Sequence, residues 1–154
     1  MQRLSRPLPD LDDSAIERIA LGLLNRTLPC AEWTHAAHFA AALWLLRHQP
    51  GAAAPAALRE TISAYNLACG KPNDVQQGYH HTITLASLGA ARAVLARWRE
   101  ESLAEVLVRV LDSNLGRPDW LLRHWSRERL FSPEARQGWV APDLRPPPFA
   151  IPLA

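Results

Sequence analysis

Cysteine is nearly absent from this 154-residue chain: Cys30 and Cys69 stand far apart, outside any Cys-x-x-Cys spacing, so no redox or thiolate motif is on offer. Long apolar runs are lacking too. The longest, Phe39 to Leu46, falls far short of the roughly twenty residues that span a bilayer. The opening MQRLSRPLPD has no apolar core of a signal peptide. Lysine is reduced to Lys71, and no block of one charge exists; 17 basic and 15 acidic residues are interspersed, as in RWREESLAEVLVRV. Such mixing marks a solvated helix face rather than a nucleic-acid footprint. No segment alternates with period two, and no internal repeat is visible. These absences predict a protein of the reducing cytoplasm, with no membrane or nucleic-acid partner and a core large enough to need no disulfide staples.

What remains is helical periodicity. Ile16, Ile19, Ala20, Leu23 and Leu24 follow the i, i+3, i+4 rule, with Asp10, Asp12 and Asp13 at the positive end of the helix dipole, which predicts a first helix over 11–26. Thr34 is placed to cap a second helix ending near Gln49-Pro50-Gly51. A third runs over 53–68 and stops at Gly70, a fourth over 79–98, and a fifth over 101–112. Pro118 opens a short sixth, DWLLRHW. The predicted class is all-α: a compact antiparallel bundle of five to six helices over 1–125. Residues 126–154 hold six of the thirteen prolines yet include Phe131, Trp139, Phe149 and Ile151, which predicts a strap packed on that bundle, with a brief helix capped at Ser132-Pro133.

The histidines carry the functional signal. In EWTHAAH, His35 and His38 are three residues apart and share a helix face. GYHHTIT offers a third imidazole, and the stripe it shares with Ile83, Thr84 and Ser87 favours His80 over His81 as the inward one. His35, His38 and His80 are thus candidate ligands for one divalent ion, Zn²⁺, Fe²⁺ or Mn²⁺. Glu32, Asp74 and His81 are candidate proton carriers. Arg127 and Arg129 suit an anionic substrate, and Trp33, Tyr65, Asn66 and Tyr79 are candidate pocket residues. The bland reading stands beside this one: polar residues cluster at helix starts for capping, and histidines there commonly bond backbone carbonyls.

The segments EWTHAAHFAAALWLL, YNLACGKPNDVQQGYHHTIT and SRERLFSPEARQGWVAPDLRP, in that order over about residues 32–145, resemble a family of small bacterial all-helical proteins with Trp-Thr-His-x-x-His and Gly-Tyr-His-x-Thr motifs and no assigned activity. The resemblance implies that Glu is more typical at the position of His81, so a role carried there by a carboxylate would pass to an imidazole. Two functions of different class follow. One is a mononuclear metal-dependent enzyme acting on a small molecule. The other is a non-catalytic helical module that binds a small ligand or a protein, with a structural or pH-sensitive histidine cluster.

Overall fold

A computed structural model describes residues 11–153 of the chain; Asp10, assigned above to the first helix dipole, lies outside them. Among the described residues every regular element is helical, and no helix is long and apolar enough to cross a membrane. The α-helices are α1 (Asp13–Asn25), α2 (His35–His48), α3 (Pro55–Ala68), α4 (His81–Arg97), α5 (Leu103–Asp112), α6 (Arg127–Leu130) and α7 (Pro133–Gln137). Caps set most starts. Asp12, Thr34, Ser102, Ser126 and Ser132 each accept a backbone N–H from the first turn of α1, α2, α5, α6 and α7. Ser102 and Glu105 complete a reciprocal capping box.

The starts of α1, α3 and α5 fall two residues later than the periodicity places them, and three further differences have visible causes. The fourth helix begins two residues later than predicted, because His80 is its N-cap: Nδ1 accepts the Ile83 N–H at 3.2 Å. Trp120–Arg123, expected as a sixth α-helix, is a single 3₁₀ turn, too short to propagate before the chain leaves at His124. The short α6 was not anticipated; it is nucleated by the Ser126 hydroxyl, itself bonded to the Asp143 carboxylate.

α2 is central. It packs against α1, α4 and α5, which is why Phe39, Ala40, Leu43 and Leu45 are all buried on a helix apolar around most of its circumference. Residues after 125 meet α4 at two places: Gly138 and Val140 bond the Thr82 hydroxyl, and Phe149 and Ala150 approach Gly89. A methyl group built on Gly89 of α4 would sit 2.6 Å from the Ala150 carbonyl and 3.1 Å from the Phe149 ring, so the backbones meet only because Gly stands there. The Trp125 indole N–H donates to the Val140 carbonyl, and Leu144 N–H returns to the His124 carbonyl.

The expectation of unstapled cysteines is overturned. Cys30, in the link between α1 and α2, is disulfide-bonded to Cys69 at the end of α3, with Cα atoms 5.9 Å apart. Spacing along the chain could not show this, since the α1–α3 packing creates the proximity. The bond closes a loop of 39 residues, for which the chain-entropy argument gives about 4 kcal/mol of stabilisation. A Cys30→Ala/Cys69→Ala variant is therefore expected to lose about 3–4 kcal/mol in urea unfolding, and reductant should shift the parent by a similar amount while leaving the variant unchanged. Equal stability of parent and variant would contradict the pairing.

Candidate functional site

His35, His38 and His80 do not assemble. His80 is 7 % exposed and both ring nitrogens are engaged: Nδ1 in the cap, and Nε2, which donates to the Leu130 carbonyl at 2.7 Å. His35 Nε2 donates to the Leu115 carbonyl at 2.7 Å, with the ring edge-on to Phe39. Among the described residues no group of three or more His, Cys, Asp or Glu side chains is arranged to hold an ion. Two of the three rings expected as ligands turn instead toward main-chain carbonyls of remote segments. His124 does the same, bonding the Arg145 carbonyl through Nδ1.

His38 is different. Its Nδ1 meets the Thr34 carbonyl at 2.6 Å, so the neutral ring carries its proton there and leaves Nε2 as a lone-pair acceptor. The ring stacks on Trp33 with centroids 3.9 Å apart, and Trp33 in turn meets Tyr65 edge-on at 5.5 Å. His38 remains accessible to solvent while protein atoms crowd it. This desolvation, helped by the nearby His35, pushes its pKa below the ordinary imidazole value despite the opposing Thr34 bond.

Trp33 and His38 form one wall of a recess of about 70 Å³, closed by side chains of α1, α2, α3 and α4, among them Leu58, Ile62, Thr84 and Ser87. His38 is the only titratable group in that lining.

A second polar pair lies at the start of α4. The Tyr79 hydroxyl and His81 Nδ1 are 2.7 Å apart, with the Arg59 guanidinium 5.3 Å from the Tyr79 ring centre. Burial raises the Tyr79 pKa, and desolvation followed by Arg59 lowers that of His81. Thr84, which lines the recess, donates its hydroxyl to the His80 carbonyl at 2.8 Å.

The remaining candidates are placed elsewhere. Glu32 is ion-paired with Arg18 of α1 at 2.6 Å on the surface. Tyr65 is a core residue whose hydroxyl donates to the Leu28 carbonyl. Asn66 donates to the Asn73 side chain, which in turn accepts the Tyr79 N–H and donates to the Ser63 carbonyl. Asp74 caps its own turn through the Gln76 and Gln77 N–H groups, and these bonds, the Gln76 one foremost, hold its carboxyl below the usual range. Arg127 is exposed over Phe131, and Arg129 ties α6 to the Ala141 carbonyl. Trp33 is therefore brought together with His38 and Tyr65, and Tyr79 with His81 and, through Asn73, with Asn66; Glu32, Asp74, Arg127 and Arg129 are engaged elsewhere. Leu58, Arg59, Ile62, Thr84 and Ser87 were missed because nothing in the local sequence distinguishes them from ordinary helix residues.

Comparison with protein-family models, with curated proteins and with solved structures finds no match to this chain.

Burial, and to a lesser degree Arg136 and His81, pushes the His80 pKa from 6.5 down to about 4, outweighing the Leu130 bond that favours the charged ring. In the unfolded chain His80 takes up a proton below about pH 6.5, whereas the folded state refuses it, so the unfolded state binds more protons between those values. Stability is complete above about pH 6.5 and declines as pH falls toward 4, by on the order of 3 kcal/mol from this residue. The lowered His38 and His81 values act with the same sign. The variant His80→Asn keeps a capping oxygen but cannot reach Leu130; it should be less stable at pH 7 by about 1–3 kcal/mol and show a flatter decline between pH 6.5 and 4 in urea unfolding. A decline of unchanged steepness would remove His80 as its source.

Proposed function

We propose that the protein is a helical small-molecule-binding module, an antiparallel bundle whose ligand enters the recess beside Trp33 and His38. One observation carries the reading: His38, the single titratable group in a lining that is apolar apart from Thr84 and Ser87, keeps an acceptor nitrogen that its bond to the Thr34 carbonyl does not use. The recess has about half the volume of an engineered cavity that takes up benzene whole, so it suits a ring edge or a short alkyl end rather than an entire ligand. The ligand class that fits is a small apolar molecule bearing an O–H or N–H, which donates to His38 Nε2 while its body lies against Trp33. Proton transfer to that nitrogen would give the same site a general-base role.

The metal-enzyme reading requires His35 and His80 to give up their carbonyl bonds. Elemental analysis of untagged protein separates the two. Stoichiometric Zn, Fe or Mn that disappears in His35→Ala/His38→Ala favours the enzyme; metal well below stoichiometry after anaerobic reconstitution favours the module. The Cys30–Cys69 bond also supports an oxidising compartment over the reducing cytoplasm that cysteine spacing suggested.

Phenol and toluene test the site directly by ligand-observed NMR. Phenol should bind several-fold more tightly than toluene, the worth of one hydrogen bond of about 1 kcal/mol. His38→Phe should abolish that preference, and Ser87→Leu, which fills the recess, should abolish both. Phenol affinity should hold steady from neutral pH downward and fall only below the ordinary imidazole value of 6.5, since His38 must stay neutral to accept. Binding that survives Ser87→Leu would sink the assignment.

A further inference from the structure

Toward the C-terminal end of α4 lies a larger concavity, about 740 Å³, between α4, α5, the 3₁₀ turn Trp120–Arg123 and the C-terminal segment. Its floor is apolar, formed by Ala90, Ala93, Val94 and the half-buried Phe149 ring. Its rim is basic. Arg97 comes from α4, Arg123 from the 3₁₀ turn and Arg145 from the strap, three segments distant in sequence. None of these three guanidinium groups makes a hydrogen bond to the described residues or has a carboxylate of those residues within ion-pair distance, and all three side chains are exposed. Asp112 is the one carboxylate among the lining residues.

The fourth arginine shows what a satisfied one looks like here. Arg109 is held by both Glu101 carboxylate oxygens and stacks over Trp98, 3.5 Å from the ring centre. That stack is a fixed flat wall at one side of the groove. Gathering three further cations around a concavity that supplies so little negative charge costs repulsion unless an anion enters. Guanidinium forks match phosphate and carboxylate oxygens, while the floor and the stacked wall match a planar apolar body.

We infer that this groove binds a planar aromatic anion, its ring lying on the Ala90–Val94–Phe149 floor and its phosphate or carboxylate held by Arg97, Arg123 and Arg145. The site is distinct from the Trp33–His38 recess, with which it shares no lining residue: α4 contributes Ile83, Thr84, Ser87 and Leu88 to the recess and, further along the helix, Ala90, Ala93, Val94 and Arg97 to the groove.

Isothermal titration with 1-naphthyl phosphate, 1-naphthoate, 1-naphthol and inorganic phosphate tests both halves of the site. At least one of the two naphthyl acids should bind about tenfold or more tightly than either naphthol or phosphate alone, because only the acids use floor and rim together. Whichever acid binds better identifies phosphate or carboxylate as the native group. Arg123→Ala/Arg145→Ala should weaken that binding by about tenfold or more without changing the circular dichroism or melting temperature, since neither side chain supports the fold. Ser87→Leu should leave it intact. Naphthol binding as tightly as both acids, no binding of either acid in the millimolar range, unchanged affinity in the double arginine variant, or loss in Ser87→Leu would each overturn the inference.

Discussion

The first turn of α4 holds the molecule's C-terminal third in place. His80 spends one nitrogen on the Ile83 N–H and the other on the Leu130 carbonyl, and two residues on the buried Thr82 hydroxyl donates to the Gly138 carbonyl while accepting the Val140 N–H. Each of these is a buried polar group that would cost about 1–3 kcal/mol if left unpaired. Because both partners are main-chain atoms of an irregular segment, satisfying them dictates where that segment runs. The approach of Phe149 to Gly89, the edge-to-face contact of Trp125 with Trp139 and the basic groove all lie downstream of that placement.

The same device recurs. His35 reaches the Leu115 carbonyl across 80 residues of sequence, and His124 reaches the Arg145 carbonyl. Turns and proline-rich stretches leave carbonyls that no helix or sheet ladder can use, and an imidazole N–H is a compact donor that can sit at a helix start and still reach out. Among the described residues no buried side-chain polar atom is left without a partner, which shows how fully these bonds close the accounts. Functional interest then falls on the rings that the scaffold does not consume: His38 over Trp33, and His81 beside Tyr79.

Much of the scaffold was legible. Apolar spacing located α1 to α5 within a few residues, and Thr34, Gly70 and Ser132 marked boundaries because a cap side chain or a positive-φ glycine is read within one turn of where it acts. Trp33 as a pocket wall and His80 as the inward member of its pair were readable from their neighbours. The destination of the inward ring was not: facing inward brought His80 to a carbonyl fifty residues away rather than to His35 and His38. The pairing of Cys30 with Cys69 and the presence of Arg97, Arg123 and Arg145 around one groove were equally invisible, since each depends on segments with no local relation.

By itself, the sequence determined the helical class, the order of the elements, the caps that start them and the set of side chains able to do chemistry, because periodicity, capping and side-chain inventory are properties of a few consecutive residues. Only the tertiary structure decided which of those side chains are consumed in holding the fold and which remain free. That outcome turns on contacts between distant segments, and a ring nitrogen 2.7 Å from a remote carbonyl looks, in the sequence, no different from one on a ring that lines a recess.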